Sequence, residues 1–299
     1  MSLYLQMQKI SLSTPAEFSF DLCLSFLKRS PREVLHRIEE ESVVKAIYVD
    51  DEIVVFRIRH QENTLQIEFL TKKVSTSIRK TVSDYVREWF DLETDIKPFY
   101  TMARRDDLLK DLVKKYFGYR IIGQPDLFES IIWAVLGQQI NLQFAYTLKQ
   151  RFVEQFGGSI EINDQKYFLF PSPEVAAQIT ADQLLPLQFS RQKAAYTIGI
   201  AKAFADGELS KQKLTGLPLK EAKEELIKIK GIGNWTANYA LMKTFRHPDA
   251  FPLEDAGVHN AIKNLMNLKS KPSLDRVKKI YRKYKGWEAY ATLYLWKSL

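Results

Sequence analysis

The stretch LIKIKGIGNWTANYALMKTFRHPDAFPLEDAGV, residues 226–258, decides how the chain is read. It holds the end of one helix, a Gly231-Ile232-Gly233 turn, and a second helix starting near Trp235. A loop follows that closes on two carboxylates, Glu254 and Asp255. Glycines allow backbone conformations that a side chain forbids, so the turn can be very tight. The first amides of the helix after it have no intrahelical partner, and the helix dipole makes them attractive to an anion such as a phosphate. An ordinary helix–helix connection with a glycine cap would look similar. The paired glycines, with Thr236 three positions after Gly233, favour a hairpin that grips a DNA backbone.

Asp255 lies 22 residues beyond Gly233. Aspartate is a good N-cap for the helix expected from Ala256. A cap position also fixes an ionised carboxylate, which suits cleavage of a glycosidic bond, where positive charge builds on the sugar. Glu254 is the rival, but its side chain should point away from the helix mouth. Trp235, Tyr239 one turn later, and Trp287 and Tyr290 near the end supply aromatic rings. These are core residues in the plain reading and a receptor for a cationic base in the functional one. Gln138-Gln139-Ile140-Asn141 breaks two apolar helices with polar residues. It is either a simple turn or a loop that enters a duplex and fills the space left by an extruded nucleotide.

The 299 residues are enough for two or three domains. The single cysteine, Cys23, excludes disulfides within the chain, a cysteine-ligated iron–sulfur cluster and a Cys-rich zinc site. No apolar run reaches membrane-span length and the first residues lack a signal-peptide core, so a cytoplasmic protein is expected. Residues 1–100 carry 14 Lys/Arg and 16 Asp/Glu, whereas 101–299 carry 30 and 20. The basic excess, and with it any polyanion partner, belongs to the part that holds the glycine turn.

Residues 1–100 read as an α/β unit within an α+β chain. Ser2–Ser11 alternates as a short strand, and a helix runs from Asp21 to Leu27. Ser42–Val49, Ile53–Arg59 and Thr64–Phe69 form an antiparallel meander, and a helix over Thr76–Phe90 closes the unit. From 101 to 299 only helices are expected. Pro125 stands at the first turn of a central apolar helix ending at Gly137. Asn141 caps Leu142–Phe156, and Gly157-Gly158 stops it. Residues 159–180 are a loose stretch. Helices follow at 181–187, 190–206, 219–229, 235–245, 256–268, 273–284 and 287–299.

GIGNWTANY followed by FPLEDAGV resembles the signature of the helix-hairpin-helix–GPD superfamily of DNA glycosylases. VLGQQIN and YKGWEAYATLYLW are similar to parts of its bacterial 3-methyladenine DNA glycosylase II branch. The N-terminal unit is similar to that branch's TBP-like antiparallel domain, so the resemblance spans essentially the whole chain.

The resemblance implies that Asp255 is the catalytic carboxylate and that Trp235, Tyr239, Trp287 and Phe26 line a base pocket. Gly231, Gly233 and Thr236 would hold the DNA backbone, with a sodium or magnesium ion at the backbone of Ile229 and Gly231, and no side-chain metal site or other cofactor. Gln139 would fall at the wedge position, with Ile140 beside it. Bifunctional members place a Schiff-base lysine two residues after the second hairpin glycine; here that position is Trp235, which removes that lyase route. Lys230 stands where the family usually has proline, and Gln139 where a large aliphatic wedge is common.

The implied activity is monofunctional hydrolysis of alkylated purines from double-stranded DNA, by a monomer associated with the nucleoid. An 8-oxoguanine-type glycosylase and a non-catalytic hairpin DNA-binding protein are the alternatives.

Overall fold

Runs of β-branched residues build the first part of the chain into a five-stranded antiparallel sheet. A computed structural model describes residues 9–72 and 74–299. Strands β1 (Lys9–Ser13), β2 (His36–Glu39), β3 (Ser42–Val49), β4 (Glu52–Gln61) and β5 (Thr64–Phe69) lie in the order β1-β5-β4-β3-β2. The strand expected from Ser2 begins, among the described residues, at Lys9, and its earlier positions lie outside them. The meander falls where its alternation predicts, because β3 to β5 pair with one-residue regularity from Val49↔Glu52 to Gln61↔Thr64. Strand β2 was not expected. Its four residues, HRIE, offer one apolar side chain and therefore no alternation to detect. Its pairing with β3, His36↔Lys45 to Glu39↔Ser42, makes it a strand.

Helices α1 (Phe20–Leu27) and α2 (Thr76–Trp89) are capped by Ser19 and Ser75 and cover one face of the sheet. Leu24, Val82 and Val86 pack there against Val43, Ile47 and Phe56. The opposite face is closed by residues 159–180, which are more ordered than expected. Ser159–Ile162 (β6) and Gln165–Phe168 (β7) form a hairpin around Asn163 and Asp164, both left-handed at φ 50° and 61°. Tyr167 and Leu169 bury against Val44, Ala46 and Val55. Its two strands of four residues are too short to stand out among helices in the sequence, although Ile160 and Ile162 alternate ahead of the turn; the sheet face they cover holds them in place.

The helical part comprises α3 (Lys97–Ala103), α4 (Leu127–Gly137), α5 (Leu142–Phe156), α6 (Arg191–Ala205), α7 (Leu219–Ile227), α8 (Asn234–Ala240), α9 (Ala256–Leu265), α10 (Leu274–Tyr281) and α11 (Glu288–Lys297), with shorter turns between. Helix α3 runs across residue 100, and its Phe99 and Tyr100 belong to the helical core. Ile122 packs back into the sheet core, so the two cores interlock. Helix α4 is buried on nearly every side. It is opened by Asp126, whose Oδ1 accepts the Glu129 amide at 2.8 Å, and not by Pro125, which precedes the cap. A carboxylate can satisfy an orphan amide and a proline cannot. Asn141 caps α5 as the sequence predicts, accepting from the Phe144 amide at 2.8 Å. Helix α8 continues into a π-helical turn, Leu241–Phe245. Among the described residues no helix is long and apolar enough to cross a membrane, and no group of three or more His, Cys, Asp or Glu could hold a metal ion.

Candidate active site

The glycine turn joins α7 to α8, and its two glycines have different reasons to be glycine. Gly231 has φ +101°, and a Cβ there would lie 2.6 Å from the Tyr196 ring of α6. Both the backbone and the neighbour demand glycine. Gly233 has ordinary extended angles, φ −88° and ψ −180°, with open space where a Cβ would go. The expectation that both relieve backbone strain therefore holds only for Gly231. Ile232 between them is buried and anchors the turn. Lys230, Gly233 and Asn234 are exposed beside it. The first amides of α8 have no partner within the helix.

Thr236, expected against the DNA backbone, is 1 % exposed. Its Oγ1 accepts from Gln138 Nε2 at 3.1 Å, and the same Nε2 donates to Gly231 O at 3.2 Å. The side chain of Thr236 thus ties the hairpin to the 137–141 loop. Of the two carbonyls implied for a cation, Ile229 O already accepts the Ile232 amide at 3.1 Å and Gly231 O accepts Gln138. Each keeps one lone pair for any further ligand.

Asp255 is the N-cap of α9, its Oδ1 accepting the Val258 amide at 2.8 Å. Two indoles complete its surroundings. Trp296 Nε1 donates to Oδ1 at 2.7 Å, and Trp235 Nε1 donates to Oδ2 at 3.0 Å. An ionised carboxylate only accepts, and all three neighbours are N–H donors. Oδ1 takes two of them and Oδ2 one, so Oδ2 is the oxygen left with capacity to face a substrate. Glu254 is exposed beside the cap and takes no part in this set of bonds.

A cluster of rings adjoins Asp255. Trp235 and Tyr239 stack at 5.4 Å and 25°, and Tyr239 meets Trp296 at 6.4 Å. Tyr239 Oη accepts from Trp133 Nε1 at 2.9 Å, and Trp133 packs on Tyr146 at 4.7 Å. Burial pushes the Tyr239 phenol up to about 12, so it stays neutral. Behind these rings is a recess lined by Phe26, Arg29, Trp133, Tyr146, Tyr239 and Lys243. Arg29 bonds Tyr146 and lies 3.9 Å over the Phe26 ring. Burial holds Lys243 well below the usual lysine range, and it donates to Ile122 O. Phe26 therefore lines the recess, adjoining the cleft.

Trp287 is a correction. It sits at the start of α11, packed on Phe99 and Tyr290 at 6.0 Å each. Trp296, nine residues later, is roughly 13 Å along the same helix, at the end that meets α9. Trp296 stands beside Asp255, where Trp287 was expected, and sequence reasoning missed it. One signal was present: Gly257, in the first turn of α9, where a Cβ would meet Asp255 Oδ1 at 2.9 Å and Trp296 at 3.0 Å. A glycine inside a helix costs about 1 kcal/mol relative to alanine, which marks a close approach.

In the 137–141 loop, Gln139 is exposed and left-handed at φ +57°. Ile140 is half-buried against the aromatic cluster. The loop is braced from α6 by Lys193, whose Nζ donates to Val135 O at 2.9 Å and Gln138 O at 2.6 Å. Lys193, and the bonds that Gln138 makes to the hairpin, were not foreseen; polar contacts to backbone leave no periodic trace in sequence.

Residues 132–287 match the family model described as HhH-GPD superfamily base excision DNA repair protein. Residues 13–131 match the 8-oxoguanine DNA glycosylase N-terminal domain. The chain is 43% identical over 293 residues to DNA-3-methyladenine glycosylase of Bacillus subtilis (strain 168), covering 97% of each chain. Its fold superposes on 3-methyladenine DNA-glycosylase from Archaeoglobus fulgidus with a TM-score of 0.85 at 24% identity, covering 96% of this chain and 97% of the other. It also superposes on the Schizosaccharomyces pombe 3-methyladenine DNA glycosylase Mag1 in complex with abasic DNA, with a TM-score of 0.58 at 27% identity. That match covers 67% of this chain and 96% of Mag1.

Proposed function

The chain belongs to the HhH-GPD superfamily of base excision DNA repair proteins, and from that premise we propose that it is a monofunctional DNA glycosylase that hydrolyses alkylated purines out of double-stranded DNA. The observation that carries this reading is the Asp255 carboxylate, clamped by two indole N–H groups and a helix amide beside stacked aromatic rings. The full-length similarity to a named DNA-3-methyladenine glycosylase supports the substrate class.

The duplex is bent over the hairpin, and the damaged nucleotide swings in beside Asp255, against the ring cluster of Trp235, Tyr239 and Trp296. Gln139 enters the vacated space, with Ile140 supporting it from the aromatic side. The C1′–N bond of the cationic purine breaks, and its electron pair neutralises the departing base. Positive charge passes to the sugar, where Asp255 Oδ2 faces it. Water adds to C1′ and gives its proton to Asp255, leaving an abasic site and a free base. An alkylated purine leaves without a strong acid, which fits a cleft with one carboxylate. Trp235 at the lysine position leaves no amine there for a Schiff base.

The reaction so written uses water and needs no cofactor; a sodium or magnesium ion on Ile229 O and Gly231 O would act on the DNA backbone alone. The enzyme works as a monomer on nucleoid DNA in the cytoplasm. Incubation with methylated DNA and chromatography of the supernatant tests the reading. Release of free 3-methyladenine and 7-methylguanine is the expected result, and binding without any free base would leave the hairpin-only alternative. Release of 8-oxoguanine in preference to methylated purines would move the assignment to the family named in the N-terminal match.

A further inference from the structure

Residues 269–285 hold eight Lys/Arg and one Asp, a net charge of +7 where the whole chain carries +8. The other 282 residues are therefore almost neutral in sum. All eight basic side chains are exposed. Lys278 approaches Asp275 at 3.9 Å, and Lys283 pairs with Asp106. Lys269, Lys271, Arg276, Lys279, Arg282 and Lys285 have no acidic partner within ion-pair distance among the described residues.

This is a built surface and not a charged tail. Ser273 caps α10, and Val277 and Tyr281 are buried beneath it. Tyr281 stacks on Phe251 at 3.9 Å and 14°, and Tyr284 donates to Asp106 at 2.7 Å. Val277 and Tyr281 of α10 are thereby used inside the protein, and of its apolar residues Leu274 stands exposed at its start, which is too little apolar surface to insert into a lipid layer. Crowded like charge without counter-charge opposes the compact state, and a polyanion relieves that cost.

Helix α9 sets the distance to the chemistry. It starts at the Asp255 cap and ends at Leu265, just before the basic segment. Ten residues of helix span about 15 Å. Phosphates recur about every 3.4 Å along each strand, so those roughly four to six base pairs from the extruded nucleotide come within reach.

We propose that residues 269–285 form a second DNA-backbone surface, which binds phosphates of the duplex flanking the lesion, apart from the hairpin and from the base in the cleft. It rests on the glycosylase reading for its partner. Such contacts carry no sequence or lesion information. The surface acts equally on undamaged duplex, holding the enzyme on DNA while bases are tested.

The test is the quadruple variant Arg276→Gln, Lys279→Gln, Arg282→Gln, Lys285→Gln, compared with wild type in affinity for undamaged duplex of about 30 base pairs across a salt series. Each lost phosphate contact lowers the log–log salt slope by about 0.9, so a fall of up to about 3.6 is expected for the four, with at least tenfold weaker binding at low salt. Single-turnover base release at saturating enzyme should stay within about twofold. Trimming the duplex to about three base pairs on each side of the lesion should erase the difference between the two proteins. An unchanged slope overturns the proposal, as does a loss of affinity for phosphatidylglycerol vesicles with DNA affinity intact. Absence of base release by wild type would sink the glycosylase reading while leaving the salt slope to judge the surface. An unshifted melting temperature shows that the variant folds.

Discussion

Trp296 Nε1 lies 2.7 Å from Asp255 Oδ1, joining the last helix to the cap of α9 across 41 positions of sequence. This bond and its partner from Trp235 fix the carboxylate plane relative to the cleft. A carboxylate that only capped a helix would need neither.

Asp255→Asn keeps an acceptor for the Val258 amide but removes the charge opposite the sugar. Base release in single-turnover assays should fall by at least about a hundredfold, the usual loss when one group opposite developing charge is removed. Affinity for abasic duplex should change little. Release at the wild-type rate would disprove the catalytic assignment.

Trp296→Phe keeps a ring and deletes the N–H. Hydrogen bonds to charged groups contribute about 1.5–3 kcal/mol, so kcat should drop about ten- to a hundredfold with KM nearly constant. Gly257→Ala should lower kcat in the same direction, because its Cβ would lie 3.0 Å from the Trp296 ring and displace it. If Trp296→Phe is as active as wild type, the indole clamp has no catalytic role.

Lys193→Met should uncouple the 137–141 loop. Lys193 bonds two carbonyls and has no acidic partner among the described residues, and burial pulls it down to about 8. Its charge is held at the C-terminal end of α4, where the helix dipole favours a cation. The expected signature is reduced 2-aminopurine fluorescence in flipping assays, with restoration by Lys193→Arg. Wild-type fluorescence in the Met variant would remove the loop-bracing role.

Gly231→Ala and Gly233→Ala should separate folding from binding. At φ +101° and against Tyr196, alanine at 231 should destabilise the protein by about 2 kcal/mol or more. Alanine at 233 has room and ordinary angles, so stability should hold while DNA affinity falls, since a Cβ would crowd the exposed turn proposed to grip the DNA backbone. Thermal melts and duplex titrations of both variants check this. Equal losses of stability in the two would contradict it.

Acid should loosen the junction between sheet and helices through a buried group of charges. Burial pushes His36 down to about 4. Burial alone would raise Glu33, but Lys149 at 2.9 Å, with help from His36, brings it to about 2. Both folded values lie below the unfolded ones. The unfolded chain therefore takes up protons first, and stability falls with pH, from about 6.5 toward 4 for His36 and from about 4.5 toward 2 for Glu33. The His36 contribution is on the order of 3 kcal/mol when complete. Melting curves of His36→Gln should show a weaker decline between pH 6.5 and 4.5 than wild type, and an identical decline would exclude His36 as its source.

The sequence by itself determined the antiparallel meander, most helix bounds, the cap roles of Asn141 and Asp255, and the identity of the hairpin. These rest on interactions within a few residues: alternation, capping and glycine conformation. It also placed the basic excess in the helical part. Only the tertiary structure decided which aromatic residues meet Asp255. Trp287 and Trp296 share one helix and look alike in sequence, and the crossing of α11 with α9 selects the second. The same holds for Thr236, turned inward to Gln138, and for the β6–β7 hairpin, which exists because a sheet face must be covered. A side chain's role in this site depends on packing between segments far apart in the chain, and local pattern carries no record of that packing.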